Sequence, residues 1–322
     1  MKVLVISNKA DVTSDFIIKN LKTQGIDYYR LNTEDLFKSI QCNFKFDENI
    51  FELYDSNLDL TVDLIKIKSV YYRRPELPTV DEQELEDGER KFILNEYIFF
   101  LEGVYKILKN ALWVNSVEAV RNAENKIYQL QIAKEIGFAI PKSLISSYHS
   151  ECLNFIESHK NDCIVKPIKS GLVSDGIDGN DKVVFTNHIN SAILNNADLN
   201  HFPNYIQEHI HKKGDIRVTV VGNKIFAAFI DSQKDDSAIT DWRSTSSSLE
   251  HKSIILPDPI NRKCIEITKR LKLVFSAIDL ILDEQGDYIF LEINPNGQWA
   301  WIETRLGYQI SKEITNVLAN VD

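Results

Sequence analysis

Two apolar runs, Phe275-Ser276-Ala277-Ile278-Asp279-Leu280-Ile281-Leu282 and Tyr288-Ile289-Phe290-Leu291-Glu292-Ile293-Asn294, flank a polar turn at residues 283–287. Runs of this length around an Asp/Glu/Gln/Gly turn predict a β-hairpin. Side chains alternate across a strand, so Glu292 and Asn294 share one face and Leu291 and Ile293 the other. Pairing Leu282 with Ile289 sets Asp279 opposite Glu292, with about 5 Å between their Cβ atoms. Facing carboxylates destabilise a sheet unless positive charge lies between them. A solvated hairpin with acids on its wet face is the plain alternative. Against it, both acids interrupt strongly apolar strands, and Asn294-Pro295-Asn296-Gly297 ends the second one abruptly. Asp279, Glu292 and the Asn294 carbonyl are hard oxygen ligands suited to Mg2+, with places left for water and phosphate oxygens.

The rest of the chain bounds the setting. Its 322 residues suffice for two domains or three packed lobes, and a net charge of -10 with no basic stripe argues against a general nucleic-acid binder. Cys42, Cys152, Cys163 and Cys264 are scattered through apolar contexts without Cys-x-x-Cys spacing, so they read as reduced core residues of a cytoplasmic protein. The apolar run at residues 3–6 falls far short of a signal-peptide core or a membrane span.

Residues 2–6 predict a buried strand, 15–24 a helix capped by Gly25, and 27–31 a second strand, the start of a βαβ unit. It has no G-x-G-x-x-G turn, so a Rossmann cofactor site has no support. Segments at 43–47, 50–54 and 57–62 predict hairpins, and a strand at 67–72 closes on Arg73-Arg74-Pro75. Guanidinium forks match carboxylates and phosphates, although such a pair is more often simply solvated. A long helix over about 82–109 ends the first domain. A strand at 112–115 follows, then a helix over 123–136 with Lys126 in its first turn, where a cation opposes the helix dipole.

Cys163-Ile164-Val165-Lys166-Pro167 is a short apolar strand carrying a lysine, which needs an anionic partner. The loop after it holds Gly171, Gly176 and Gly179, and such a loop can fold backbone N–H groups over phosphates. Beyond a strand at 205–210, the Gly222-Asn223 turn joins two alternating runs into a hairpin with Asp215, Arg217 and Thr219 on one face. Residues 231–248 form a polar loop around Asp241-Trp242-Arg243. A helix starts at Asp258-Pro259, and a last one over 308–319 buries Ile310, Ile314 and Val317. His209, His211 and His251 read as local hydrogen-bonding residues rather than nucleophiles or ligands.

Asp279 followed by Glu292-Ile293-Asn294-Pro295 resembles the magnesium-binding end of the ATP-grasp ligases, and Asn296-Gly297-Gln298-Trp299-Ala300-Trp301-Ile302-Glu303 resembles the graspetide (microviridin-type) branch that crosslinks ribosomally made peptides. The ordered series Lys126, Lys166, Glu208, Asp215, Asp279, Glu292, Asn294 carries the match over residues 112–310; the lid is poorer in glycine than in many relatives. The resemblance implies an α/β (α+β) ATP-grasp fold: an N-terminal pre-ATP-grasp-like domain at 1–111, a central subdomain at 112–200 and a C-terminal subdomain at 201–322. It implies ATP and Mg2+ as cofactors. Lys126 and Lys166 would bind the nucleotide, Glu208, His209 and Ile210 would form the adenine hinge, and Asp215 would hold the ribose. Asp279, Glu292 and Asn294 would bind metal, with Lys166, Arg217 and Arg243 as catalytic cations. The Tyr72-Arg73-Arg74 segment would receive substrate, and the Trp299 and Trp301 indoles would lie beside the acceptor.

The function so implied is an ATP-dependent macrocyclase that activates Asp/Glu carboxylates as acyl phosphates and joins them to Thr/Ser hydroxyls or Lys amines. Its partner is a ribosomal precursor peptide with a leader and an acidic, Thr-rich core, and a homodimer is compatible with it; nucleic acid and membrane are not expected. Two alternatives stand beside it, a glutamate ligase acting on a protein C-terminus and a nucleotide-dependent binding module without turnover.

Overall fold

The computed structural model describes residues 2–78, 85–169, 172–173, 182–196, 202–244 and 249–320. By its internal contacts the chain forms two units, one from residues 1–120, 272–275 and 295–322, the other from 121–271 and 276–294.

In the first unit the βαβ start is present. Strand Val3–Ser7 is buried throughout, helix Val12–Thr23 follows, and Tyr28–Asn32 pairs parallel to the first strand. Ser69–Tyr72 and then Leu112–Val114 extend the sheet on the other side, also parallel. Continuous burial of the central strand is what a parallel sheet covered on both faces requires. The three alternating segments form an antiparallel meander, Ile40–Lys45, Ile50–Asp55 and Leu60–Asp63. Its inner side chains join Leu4, Ile6, Leu31 and Val70 in one core with Leu101, Val104 and Leu108 of helix Asp87–Ile107 and its end.

The domain boundaries differ from those expected. Leu112–Val114 belong to the first sheet, because their backbone pairs with Ser69–Tyr71. Helix Ile310–Ala319 also belongs to this unit: it packs on helix Val12–Thr23, and the Leu318 carbonyl accepts the Ser69 hydroxyl at 2.8 Å. Its buried stripe runs through Ile310, Ile314 and Leu318, with Val317 only half-buried. Trp299 is a core residue with no exposed surface, edge-on to Phe16, and offers no indole to a substrate. Arg73 is likewise buried, on Asp11, the Asn296 and Gly297 carbonyls and the Gln298 amide oxygen. It therefore has no free fork for an acidic ligand.

The second unit holds two sheets. One orders Asn187–Ile189, Cys163–Val165, Asn204–Glu208 and Ser143–Ser146, all antiparallel, over a core of Cys152, Ile156, Cys163, Ile189, Leu194 and Ile206. The other orders His251–Ile254, Lys224–Ile230, Lys212–Val221, Phe275–Asp283 and Tyr288–Asn294. The chain crosses between sheets at residues 209–211, not near residue 200, since Asn204–Glu208 pairs within the first. Three cysteines are buried as expected, but Cys42 is exposed, and all four are free thiols. Among the described residues no helix is long and apolar enough to cross a membrane.

Candidate active site

The hairpin forms, with an irregularity the sequence did not predict. Asp279 pairs with Glu292, Ile278 with Ile293 and Ala277 with Asn294, but Leu282 pairs with Tyr288 rather than Ile289. The register shifts between Asp279 and Leu280, leaving Leu291 as the extra residue of a β-bulge. The turn side is pinned from outside: Phe290 N–H donates to the Ala139 carbonyl at 2.8 Å, and Gly286 supplies the positive φ of 96° that the turn needs. The bulge also turns Leu291 toward the cleft beside Glu292, where strict alternation would have sent it to the other face.

Each of the facing carboxylates already has positive charge against it. Arg217, buried on strand Lys212–Val221, donates Nη1 to both Asp279 oxygens at 2.7 Å. Arg243 Nη1 reaches Glu292 Oε1 at 3.1 Å while Nε and Nη2 each hold Asp241 at 2.9 Å. Lys126 Nζ stands 3.4 Å from Glu292 Oε2 and donates to the Pro167 carbonyl at 3.1 Å. Asn125 caps helix Lys126–Ile136 by accepting the Tyr128 N–H, which sets Lys126 at the first helical position. Its ion pair offsets the unfavourable dipole.

These contacts split the two acids. Burial pushes both carboxyls up, but Arg243, Lys126 and Lys166 outweigh it at Glu292 and pull that group down to about 2. At Asp279 burial wins over Arg217, with Glu292 adding to the rise. Lys166, just after strand Cys163–Val165, lies 5.5 Å over the Tyr205 ring. Burial drives its ammonium down to about 8, Glu292 opposing and Lys126 and Arg243 assisting.

At the other end of the cleft Asp215 accepts from Lys212 Nζ at 2.8 Å and from Ser232 Oγ at 2.6 Å. Its carboxyl is raised by burial against both partners. Gly214 precedes it for a steric reason: a Cβ there would lie 2.5 Å from the Phe229 ring and 2.7 Å from the Ile230 carbonyl. Glu208 Oε1 accepts the Lys142 N–H at 2.7 Å, and His209 Nδ1 meets Asp162 Oδ1 at 3.0 Å.

A cleft of about 350 Å³ gathers Lys126, Lys166, Glu208, His209, Ile210, Asp215, Arg243, Asp279, Glu292 and Asn294. Of the expected set Arg217 alone does not line it, because it lies behind Asp279 and acts on that carboxylate. The structure adds Lys212 and Asp241, which lock Asp215 and Arg243 in place. The polar Lys212-Lys213-Gly214-Asp215 run before an apolar strand was the available signal for the first; Asp241 carried none beyond its place next to Trp242-Arg243. The glycine loop through Gly171, Gly176 and Gly179 lies outside the described residues.

The donor set fits a magnesium ion. Asn294 Nδ2 now donates to Asp279 at 3.2 Å and Glu292 at 3.3 Å, so a flip of that amide turns its oxygen to the same point. Lys126, Lys166 and Arg243 on the cleft wall, with Arg217 behind Asp279, offset the charge of Asp241, Asp279 and Glu292 at this end of the cleft. Such a cleft suits a polyphosphate with its metal.

The family comparisons agree with this geometry. Residues 123–318 match the RimK-like ATP-grasp domain, and residues 2–121 match the MvdD pre-ATP-grasp domain. The chain is similar to the macrocyclase MdnC of Microcystis aeruginosa MRC, solved with precursor peptide MdnA, at 25% identity and TM-score 0.87 over 99% of this chain and 100% of that one. It is similar to a RiPP-associated ATP-grasp ligase of Chryseobacterium gregarium, solved with ADP and a leader and core peptide, at 27% identity and TM-score 0.89 over 99% and 96%. A probable alpha-L-glutamate ligase of Histophilus somni is 26% identical over 213 residues, 64% of this chain and 67% of its own length. With its ATP-grasp domain and its pre-ATP-grasp domain both matched, the chain belongs to the RimK-like ATP-grasp family of ATP- and Mg2+-dependent ligases.

Proposed function

We propose that this protein is an ATP-dependent macrocyclase that works in the cytoplasm on a ribosomally made precursor peptide. One observation carries the choice over a glutamate ligase: likeness to the peptide-bound macrocyclase MdnC and to the peptide-bound RiPP-associated ligase spans 99% of the chain, pre-ATP-grasp domain included, whereas likeness to the glutamate ligase of Histophilus somni covers 64% of it.

In this reading an Asp or Glu side-chain carboxylate of the peptide attacks the γ-phosphorus of ATP, ADP leaves, and an acyl phosphate remains on the peptide. A Thr or Ser hydroxyl, or a Lys amine, then attacks the acyl carbon, its proton is lost and phosphate departs, leaving an ω-ester or ω-amide. Both partners of the first step are anionic, so the site must hold positive charge where they meet. Lys126, Lys166 and Arg243 supply it from the cleft wall, while Arg217 holds the Asp279 carboxylate in position. Asp279, Glu292 and Asn294 would hold the magnesium ion, which supplies Lewis-acid neutralisation of the phosphate oxygens. Glu208, His209 and Ile210 line the end where a nucleobase would lie, and Asp215 would hold the ribose.

The test is to incubate the protein with ATP, Mg2+ and the small peptides encoded beside its gene, following phosphate release and peptide mass. Loss of one water per bond formed is the expected result. Addition of glutamate to a protein tail instead would overturn the macrocyclase reading in favour of the ligase. Net charge of -10 gives no long-range attraction for an acidic core, so a leader docking by apolar contacts is expected, and its removal should slow modification more than added salt does.

A further inference from the structure

Three neighbouring strands of the four-stranded sheet in the second unit bring metal-ligating side chains to one edge, outside the magnesium set. Asp162 directly precedes strand Cys163–Val165, His188 lies within Asn187–Ile189, and His209 directly follows Asn204–Glu208. The registers place them on one face. His188 pairs with Ile164 and Gln207 with Ile164, so Asp162 and His209, two residues along from Ile164 and Gln207, point the same way. The alternation is realised: one ligand atom from each of Asp162, His188 and His209 lies within 4.8 Å of the other two.

We infer that Asp162, His188 and His209 form a binding site for a transition-metal ion of the Zn2+ class. Two imidazoles and a carboxylate are the ligand types such an ion takes, and hard alkaline-earth ions disfavour them. Ligands at about 2.0–2.1 Å in a tetrahedron lie about 3.4 Å apart, so small side-chain rotations close the present spacing. The site also has a fourth group: His211 Nε2 is 3.0 Å from Asp162 Oδ2, and its ring centroid is 4.9 Å from that of His209. Asp162 thus touches two imidazoles at once, either as a ligand or as the partner that orients them. His188 Nε2 lies 2.9 Å from Thr240 Oγ1, a contact that fixes the ring's orientation.

An ion there would staple three strand ends and the crossover at residues 209–211 to one point. Because His209 sits between Glu208 and Ile210 in the cleft wall, the staple would fix the backbone along the nucleobase end.

The experiment uses tag-free, EDTA-stripped full-length protein titrated calorimetrically with Zn2+ alone, with Co2+ as an optical probe. One Zn2+ per chain is expected, with the intense visible bands of tetrahedral Co2+ appearing at the same stoichiometry. His188→Ala and Asp162→Asn lie off the cleft lining and are expected each to weaken Zn2+ binding at least about tenfold, since a lost ligand costs no less than a lost outer-shell partner. In EDTA both variants should melt with the parent protein, showing the loss to be one of metal and not of fold. Absence of stoichiometric binding, or binding unchanged in either variant, would overturn the assignment and leave the cluster as histidines hydrogen-bonded to Asp162. Because the readout is metal alone, it stands whether or not the macrocyclase reading holds.

Discussion

Arg73 and Arg217 are both buried arginines on a carboxylate, and they show two different uses of the same pair. Arg73, in the first unit, reaches Asp11, two backbone carbonyls and an amide oxygen; Asp11 in turn accepts hydroxyls from Ser7 and Ser14. Polar groups saturated in this way hold loops together. Arg217, in the second unit, spends one nitrogen on both oxygens of Asp279, and that carboxylate opens onto a cleft beside Glu292 and Asn294. A buried charge is structural when its partners are closed on every side, and functional when its partner faces space that a ligand can fill.

The largest expected effect tests the functional member. Asp279→Asn or Glu292→Gln should lower turnover more than about 100-fold, beyond what removing an outer-shell partner costs. Two facing carboxylates with no cation against them would gain stability from the loss of either. The cations around Glu292 reverse that expectation, because a carboxyl pulled from 4.5 to about 2 stabilises the fold above pH 4.5 and loses that contribution as pH falls toward 2. Glu292→Gln should therefore melt earlier than the parent at pH 7 and no earlier near pH 2. A Glu292→Gln protein with normal ATP consumption would remove the metal assignment.

Next comes the arginine comparison itself. Arg73→Ala and Arg217→Ala should each cost about 3–5 kcal/mol in chemical denaturation, since each leaves a buried carboxylate without its cation. Mg2+ should restore part of the loss for Arg217→Ala, whose orphaned Asp279 can take a new cation, and none for Arg73→Ala. Equal rescue, or none in either, would erase the distinction.

Lys166 gives a smaller, pH-dependent effect. With its ammonium at about 8, nucleotide affinity should fall as pH rises from 7 to 9, and Lys166→Arg should flatten the profile. Stability runs the other way: the unfolded chain holds more protons between about 8 and 10.5, so the cost of burying this charge is full below 8 and fades above it. Smallest is Asn125→Ala, which removes the cap of the helix that presents Lys126 and should cost about 0.5–2 kcal/mol by thermal melting.

Much of this was legible because alternation in a strand is a strict rule. Asn294 on the face of Glu292 and Asp215 with Arg217 follow from period two; Asp279 lies across from Glu292 as expected, but only because the bulge at Leu291 offsets a turn that pairs Leu282 with Tyr288. What escaped depended on partners far away in sequence. Trp299 and Arg73 carry the residue types of a binding surface, and only their packing against Phe16 and Asp11 shows them closed. Lys212 and Asp241 are ordinary loop-edge charges until the fold sets them against Asp215 and Arg243. The domain edges failed for a related reason, as a short strand at residues 112–114 does not announce which sheet it will join.

The bulge at Leu291 has a consequence for how this hairpin tolerates changes of length. On its turn side the ladder runs Leu280 with Phe290; on its cleft side it runs Asp279 with Glu292. Leu291 is thus a spare in the count. Deleting it would leave an unbroken ladder with Asp279 still opposite Glu292, whereas deleting Ile293 would draw Glu292 across from Ile278 and off the Asp279 face. Single-residue deletions sampled through this strand in a growing lineage should accordingly accumulate at position 291, where they alter the apolar lining beside Asp279, Glu292 and Asn294 and leave the carboxylates facing each other.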